Sequence, residues 1–200
     1  MVFNKYQLLI LKETKYFVKE YMTNLDDISH DYKHIKLVVK FSSKIAKKEG
    51  INNSKDLFQI RMGALLHDIG DHKYTNECQK KILWKFLNKF KKLRKNEKRD
   101  IIEIASNVSL SKEDKRINKN LDIVKDADRI NSLGAIGIMR YISYNINNSD
   151  EPSFNDIITN MKDRTKKIRR NLKTKSGKKM SKKHLRLISL FLNNYKDFSI

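Results

Sequence analysis

Residues 57–70 read LFQIRMGALLHDIG: an apolar run at helical spacing that ends in a histidine, an aspartate and a glycine. Leu57, Ile60, Ala64 and Leu65 return at three- and four-residue intervals, the period of one face of an α-helix. Asn53 or Ser54 supplies a cap before the run, and Gly70 stops it. His67 and Asp68 therefore stand at a helix end next to buried apolar residues, where ionisable groups are costly unless something compensates them.

The same period continues on both sides. Residues 30–49 put Ile35, Val38, Val39, Ser42, Ile45 and Ala46 on one stripe, with Asp26 and Ser29 as candidate caps and Gly50 as the stop. Residues 79–93 put Ile82, Leu83, Phe86, Leu87, Phe90 and Leu93 on one face and lysines on the other. Further helices are expected over 4–22 (a weak pattern of Leu8, Leu11, Lys12, Lys15 and Val18), 97–107, 119–145, 154–171 and 181–197. The segments 147–152 and 174–177 are expected to be loops. A single proline and six glycines among 200 residues leave little punctuation for a many-stranded fold. The expected fold is all-α, with about 8–10 helices packed around one core over residues 1–200.

A second histidine lies on an inward stripe. His34 falls four residues before Val38, and His30 shares its helix face. Asp128 lies four after Val124 and seven before Ala135, again facing inward. A divalent cation is the economical partner for two imidazoles and two carboxylates on buried faces, and this mixed nitrogen and oxygen set suits Mn, Mg, Co, Ni, Fe or Zn. Each residue alone has a plainer explanation: a hydrogen-bonded core histidine, or a capping or solvated aspartate. Three separated segments with matching flanks outweigh it.

The segments HDYKHIKLV (30–38), ALLHDIGDHK (64–73) and DADRI (126–130) resemble the H…HD…D signature of HD-domain phosphohydrolases. GAIGIMR (134–140) and TKSGKK (174–179) are similar to the bacterial branch of the YpgQ/YedJ type. The resemblance covers about residues 26 to 198. It implies an HD fold with a metal-binding core over about 26–145, followed by C-terminal helices over about 154–198. It implies one divalent metal held by His34, His67, Asp68 and Asp128, and hydrolysis of a phosphoanhydride or phosphoester bond. The reaction pointed to is cleavage of a ribo- or deoxyribonucleoside triphosphate to monophosphate and pyrophosphate. A phosphodiesterase acting on a cyclic or alarmone nucleotide is the enzymatic alternative, since fold alone does not select a substrate.

Beside the ligands, Asp71 is a candidate for moving the proton of the attacking water, and Asp68 acts with the metal. His30, His72, Lys73 and Arg140 are candidates for phosphate contact, Arg140 because a guanidinium matches phosphate geometry. Asp126 lies about 200° round the helix from Asp128 and is expected to be a surface carboxylate or one supporting the ligands. The stretch 106–109 lacks the histidines that binuclear HD enzymes often carry there, which favours a single metal.

The charge departs furthest from the ordinary. Lys and Arg number 44 against 23 acids, a formal +21. Such a field attracts nucleotides and nucleic acid, although abundant Lys, Asn and Ile also fit an AT-rich genome. Trp84, Phe86 and Phe90, among lysines, read either as core or as a stacking surface for single strands. The basic region 162–186 reads either as a solvated face or as a nucleic-acid contact. A nucleic-acid-binding protein on an HD scaffold is thus the rival from another class. The one cysteine, Cys78, cannot pair within the chain, and no apolar run is long enough to span a membrane. A cytoplasmic setting is expected, and a homodimer is compatible with the sequence.

Overall fold

The computed structural model describes residues 2–25, 31–71, 75–110 and 118–198. Among them are nine helices and no strand: α1 (Lys5–Thr23), α2 (Tyr32–Lys48), α3 (Ser54–Leu66), α4 (Gln79–Leu87), α5 (Lys95–Ser106), α6 (Lys119–Asn131), α7 (Gly134–Asn147), α8 (Phe154–Asn171) and α9 (Lys175–Phe198). The expected all-α class is borne out.

Helix α2 begins where the Asp31 side chain accepts a hydrogen bond from His34 N at 2.9 Å, an N-cap in the usual sense. The candidate caps Asp26 and Ser29 lie outside the described residues. Its buried stripe is His34, Ile35, Val38, Ser42, Ile45 and Ala46, and it packs against α3 and α6. Val38, Ile45, Ile60, Ala64, Val124 and Ala127 share one apolar cluster, so three helices that each carry a site residue meet on that cluster. Helices α1, α3, α4 and α5 enclose a second cluster, in which Phe17 stacks on Phe86 with ring centroids 4.2 Å apart. In α1 the inward residues are Ile10, Leu11, Thr14, Val18 and Met22, while Leu8 faces outward, a departure from the weak pattern expected there.

Three helix boundaries differ from those expected. The helix expected over 79–93 ends at Leu87, yet Phe90 and Leu93 stay buried. Successive tight turns, Phe90 N to Leu87 O and Leu93 N to Phe90 O, both 3.1 Å, hold the three-residue spacing without a helix. The helix expected over 119–145 breaks into α6 and α7. Gly134 adopts φ 72°, a left-handed conformation open to glycine, and a β-carbon there would come 2.7 Å from His184 Nδ1. The third change is at 174–177, which caps and begins α9 and is no loop: Gly177 N donates to Thr174 Oγ1 at 2.9 Å.

Buried polar groups on α6 fasten this last junction. Asp126 is fully buried and accepts from Lys173 N (2.8 Å), Thr174 N (2.7 Å) and Thr174 Oγ1 (2.7 Å). Arg129 donates to Asn171 O at 2.5 Å. The expectation of a surface or ligand-supporting role for Asp126 is corrected: the residue clamps the α8–α9 connection onto α6. Burial raises its pKa, against the lowering effect of these three donors and of Arg129.

Candidate metal centre

His67 caps the end of α3, and Asp68 follows in the turn to Gly70. Two neighbours hold that turn: Tyr21 of α1, whose hydroxyl accepts from Gly70 N at 3.2 Å, and Gln79 of α4, whose amide donates to His67 O at 2.8 Å. His34 arrives from the first turn of α2, and Asp128 from the last turn of α6.

The four side chains converge. His34 Nε2 lies 3.2 Å from His67 Nε2, 3.2 Å from Asp68 Oδ2 and 3.5 Å from Asp128 Oδ1. His67 Nε2 lies 3.3 Å from Asp68 Oδ1 and 3.8 Å from Asp128 Oδ1. Ligand atoms of His34, His67 and Asp68 all fall within 4.8 Å of one another, and Asp128 joins that trio through the imidazoles. Two donors each about 2.1 Å from one ion stand ~3.4 Å apart at a tetrahedral angle, so the observed spacings fit a common cation. The imidazoles form the floor, with side chains 7% and 3% exposed, and the carboxylates lie nearer solvent at 13% and 18%.

Each imidazole is oriented from behind. His67 Nδ1 lies 3.0 Å from the Ala64 carbonyl, which can only accept, so Nδ1 carries a proton and Nε2 turns its lone pair toward the cluster. Burial opposes a charge on His67, but Asp68, Asp128, the Ala64 carbonyl and Asp71 together raise its pKa. His34 Nδ1 has two neighbours, Asn131 Nδ2 at 2.7 Å and Arg140 Nη1 at 2.8 Å, and Arg140 Nη2 also reaches Asp31 Oδ1 at 3.4 Å.

Asp71 lies in the turn after the His-Asp pair, its amide donating to Asp68 O at 3.3 Å. Arg140, read from sequence as a phosphate contact, stands against His34 and Asp31. His30, His72 and Lys73 lie outside the described residues.

Sequence reading missed two residues. Asn131, 4% exposed on α6, supports His34. Arg164 on α8 packs over the Tyr141 ring at 5.2 Å and donates to Ser132 O at 3.5 Å. Burial lowers the pKa of that guanidinium, while the charge of Asp128 supports it. The signal for Arg164 was present: Ile157, Met161 and Ile168 are the buried residues of α8, and residue 164 falls on their stripe.

The sequence profile of the HD domain matches residues 31–133. The chain belongs to the HD-domain family. It is 33% identical to protein L803 of Acanthamoeba polyphaga mimivirus over 145 residues, 66% of this chain and 59% of that protein. It is 28% identical to YpgQ of Bacillus subtilis over 135 residues, 64% of this chain and 63% of YpgQ. The match thus spans less than two thirds of either curated relative. The crystal structure of YpgQ in complex with ADP superposes with a TM-score of 0.78 at 19% identity, covering 96% of both chains, a likeness of fold. A Bacillus thuringiensis protein described as an HD-superfamily hydrolase superposes with a TM-score of 0.73 at 25% identity, covering 96% of this chain and 97% of that one. The fold is that of HD-superfamily hydrolases. No helix among the described residues is long and apolar enough to cross a membrane.

Proposed function

We propose that this HD-domain chain is a metal-dependent phosphohydrolase that cleaves nucleoside triphosphates, ribo or deoxy, to the monophosphate and pyrophosphate. The carrying observation is the convergence of His34, His67 and Asp68, with Asp128 facing both imidazoles. The YpgQ complex with ADP supports a nucleotide, since that relative has the same fold.

In this reading His34, His67, Asp68 and Asp128 hold one divalent cation. When bound, such an ion polarises a phosphoryl oxygen and acidifies water at neutral pH. The chain's own groups do the rest. Asp71 accepts the proton of the water that attacks the α-phosphorus; the bond from that phosphorus to the bridging oxygen breaks, and pyrophosphate leaves with the bridging oxygen. Arg164, whose charge interacts with that of Asp128, offsets charge that develops on the phosphoryl oxygens. Arg140 does the same once it exchanges His34 for phosphate, and Lys73 and His72 are further candidates for that contact. Asn131, whose side-chain amide lies 2.7 Å from His34 Nδ1, keeps that imidazole in register with Nε2 facing the other three ligands.

The test is a panel of ribo- and deoxyribonucleotides with Mn, Mg, Co or Ni, reading pyrophosphate against orthophosphate. Pyrophosphate from triphosphates is expected. Orthophosphate alone, or turnover confined to cyclic or alarmone nucleotides, would overturn the bond assignment, and unchanged turnover in chelator would overturn the metal.

A further inference from the structure

Helices α8 and α9 enclose a groove of about 650 Å³ that contains none of the metal-centre residues. Its rims are Lys162, Lys166 and Arg169 on α8 and Lys178, Lys182 and Arg186 on α9, all exposed. They recur at three- and four-residue spacings, so each helix presents one cationic stripe to the groove. Leu172 and Ile188, both buried, lie at its floor, and no aromatic residue lines it.

The charge here is local. Residues 162–186 hold thirteen Lys or Arg and one acid, Asp163, which pairs with Lys166 at 2.9 Å. That is +12 of the chain's +21 in an eighth of its length. An AT-rich genome raises lysine throughout a chain, but it does not clear acids from one helical hairpin. Like charges at i and i+4 weaken a helix, and here they face each other across a groove as well. The arrangement is self-repelling, and an anion in the groove would relieve it.

We propose that the α8–α9 groove binds the phosphate backbone of single-stranded nucleic acid. The cationic stripes of the two helices line a single groove, so one flexible phosphate backbone laid along it meets both stripes at once, whereas a duplex is stiff over this length. A flat anionic bilayer would meet the rims and leave the concave floor uncovered. With no aromatic residue to stack bases, recognition runs through phosphate and is independent of sequence. The proposal stands apart from the hydrolase reading, because binding needs neither the metal centre nor turnover.

The experiment is fluorescence anisotropy of the full chain with a labelled oligothymidylate of about twenty nucleotides, in chelator, at ~50 to ~200 mM NaCl. Six phosphate contacts at about 0.7 each give an expected slope of about −4 for log affinity against log salt. Reversing four groove charges (Lys162→Glu, Arg169→Glu, Lys182→Glu, Arg186→Glu) should weaken binding more than about tenfold, as expected for lost phosphate contacts. Reversing four exposed lysines elsewhere (Lys12→Glu, Lys19→Glu, Lys85→Glu, Lys91→Glu) changes the net charge equally and should cost less than about threefold. Equal losses would overturn the groove. Should the reversed groove variant fail to fold, acetylation footprinting of the unaltered chain decides: the oligonucleotide must shield Lys162, Lys178 and Lys182, and unshielded groove lysines overturn the proposal. Co-sedimentation with phosphatidylserine vesicles by a chain that leaves the oligonucleotide free would overturn it in favour of a membrane surface.

Discussion

Gly177 sits so close to the carboxylate of Asp126 that a β-carbon at position 177 would overlap Asp126 Oδ2 and lie 2.8 Å from Thr174 Oγ1. The contact joins α6, which carries Asp128, to the first turn of α9. Within a helix, alanine normally gains about 1 kcal/mol over glycine. Here overpacking costs about 1–3 kcal/mol and displaces a buried carboxylate from its donors. Gly177→Ala is therefore expected to lower the urea midpoint; a raised midpoint would mean that the clamp yields freely.

Asn131 and His34 form the next testable pair. Asn131→Ala removes the amide that orients His34 from behind, and loss of such a support typically weakens metal binding about 10–100-fold. Titration calorimetry with Mn2+ measures it. Affinity equal to that of the parent chain would place the control of His34 elsewhere.

Arg140 and Arg164 should separate from Asn131 in the same assays. Neither is a ligand, so Arg140→Ala and Arg164→Ala are expected to keep Mn2+ affinity within about threefold while kcat/KM for triphosphate falls about tenfold or more. Arg140→Ala frees His34 Nδ1 from a group that can only donate, so its metal affinity should equal or exceed that of the parent. Weaker metal binding in either variant would count against the phosphate role.

Glu49 offers a pH-dependent check on how α9 is anchored. Its carboxylate accepts from Ser176 N at 2.8 Å and lies 3.7 Å from Lys119 Nζ. The Ser176 donor, opposed by burial and helped by Lys119 and Lys175, holds its pKa below the ordinary glutamate value. A depressed folded pKa stabilises above the unfolded value and is lost as pH falls through the folded one. Glu49→Gln should thus cost about 1–2 kcal/mol at neutral pH, with the gap to the parent closing in acid below the usual glutamate range. A gap constant across that range would show that the charge contributes nothing.

Much of this was legible in the sequence where local pattern and residue type coincide. The inward positions of His34 and Asp128 follow from helical spacing against Val38 and Val124, and His67-Asp68 from the apolar run that precedes it. Helix ends were less legible. The break at Gly134 depends on a left-handed backbone and on His184, a residue fifty positions away in sequence. Phe90 and Leu93 kept helical spacing in a segment that makes turns. Long-range polar partners are least legible: nothing local to Asp126 indicates the Thr174 amide that it accepts from, and Asn131 belongs to no short pattern. Arg164 could have been found, as a cation on an otherwise apolar stripe of α8.

Titration of the metal-free chain with Mn2+ tests the account most directly, with His67→Ala, Asp68→Ala and Asp128→Ala alongside and circular dichroism as the check on folding. One ion per parent chain is expected, with each variant folded and its affinity lower by about a hundredfold or more. Parent-like affinity in folded Asp68→Ala, or no uptake by the parent chain, would contradict a cation held by these four side chains.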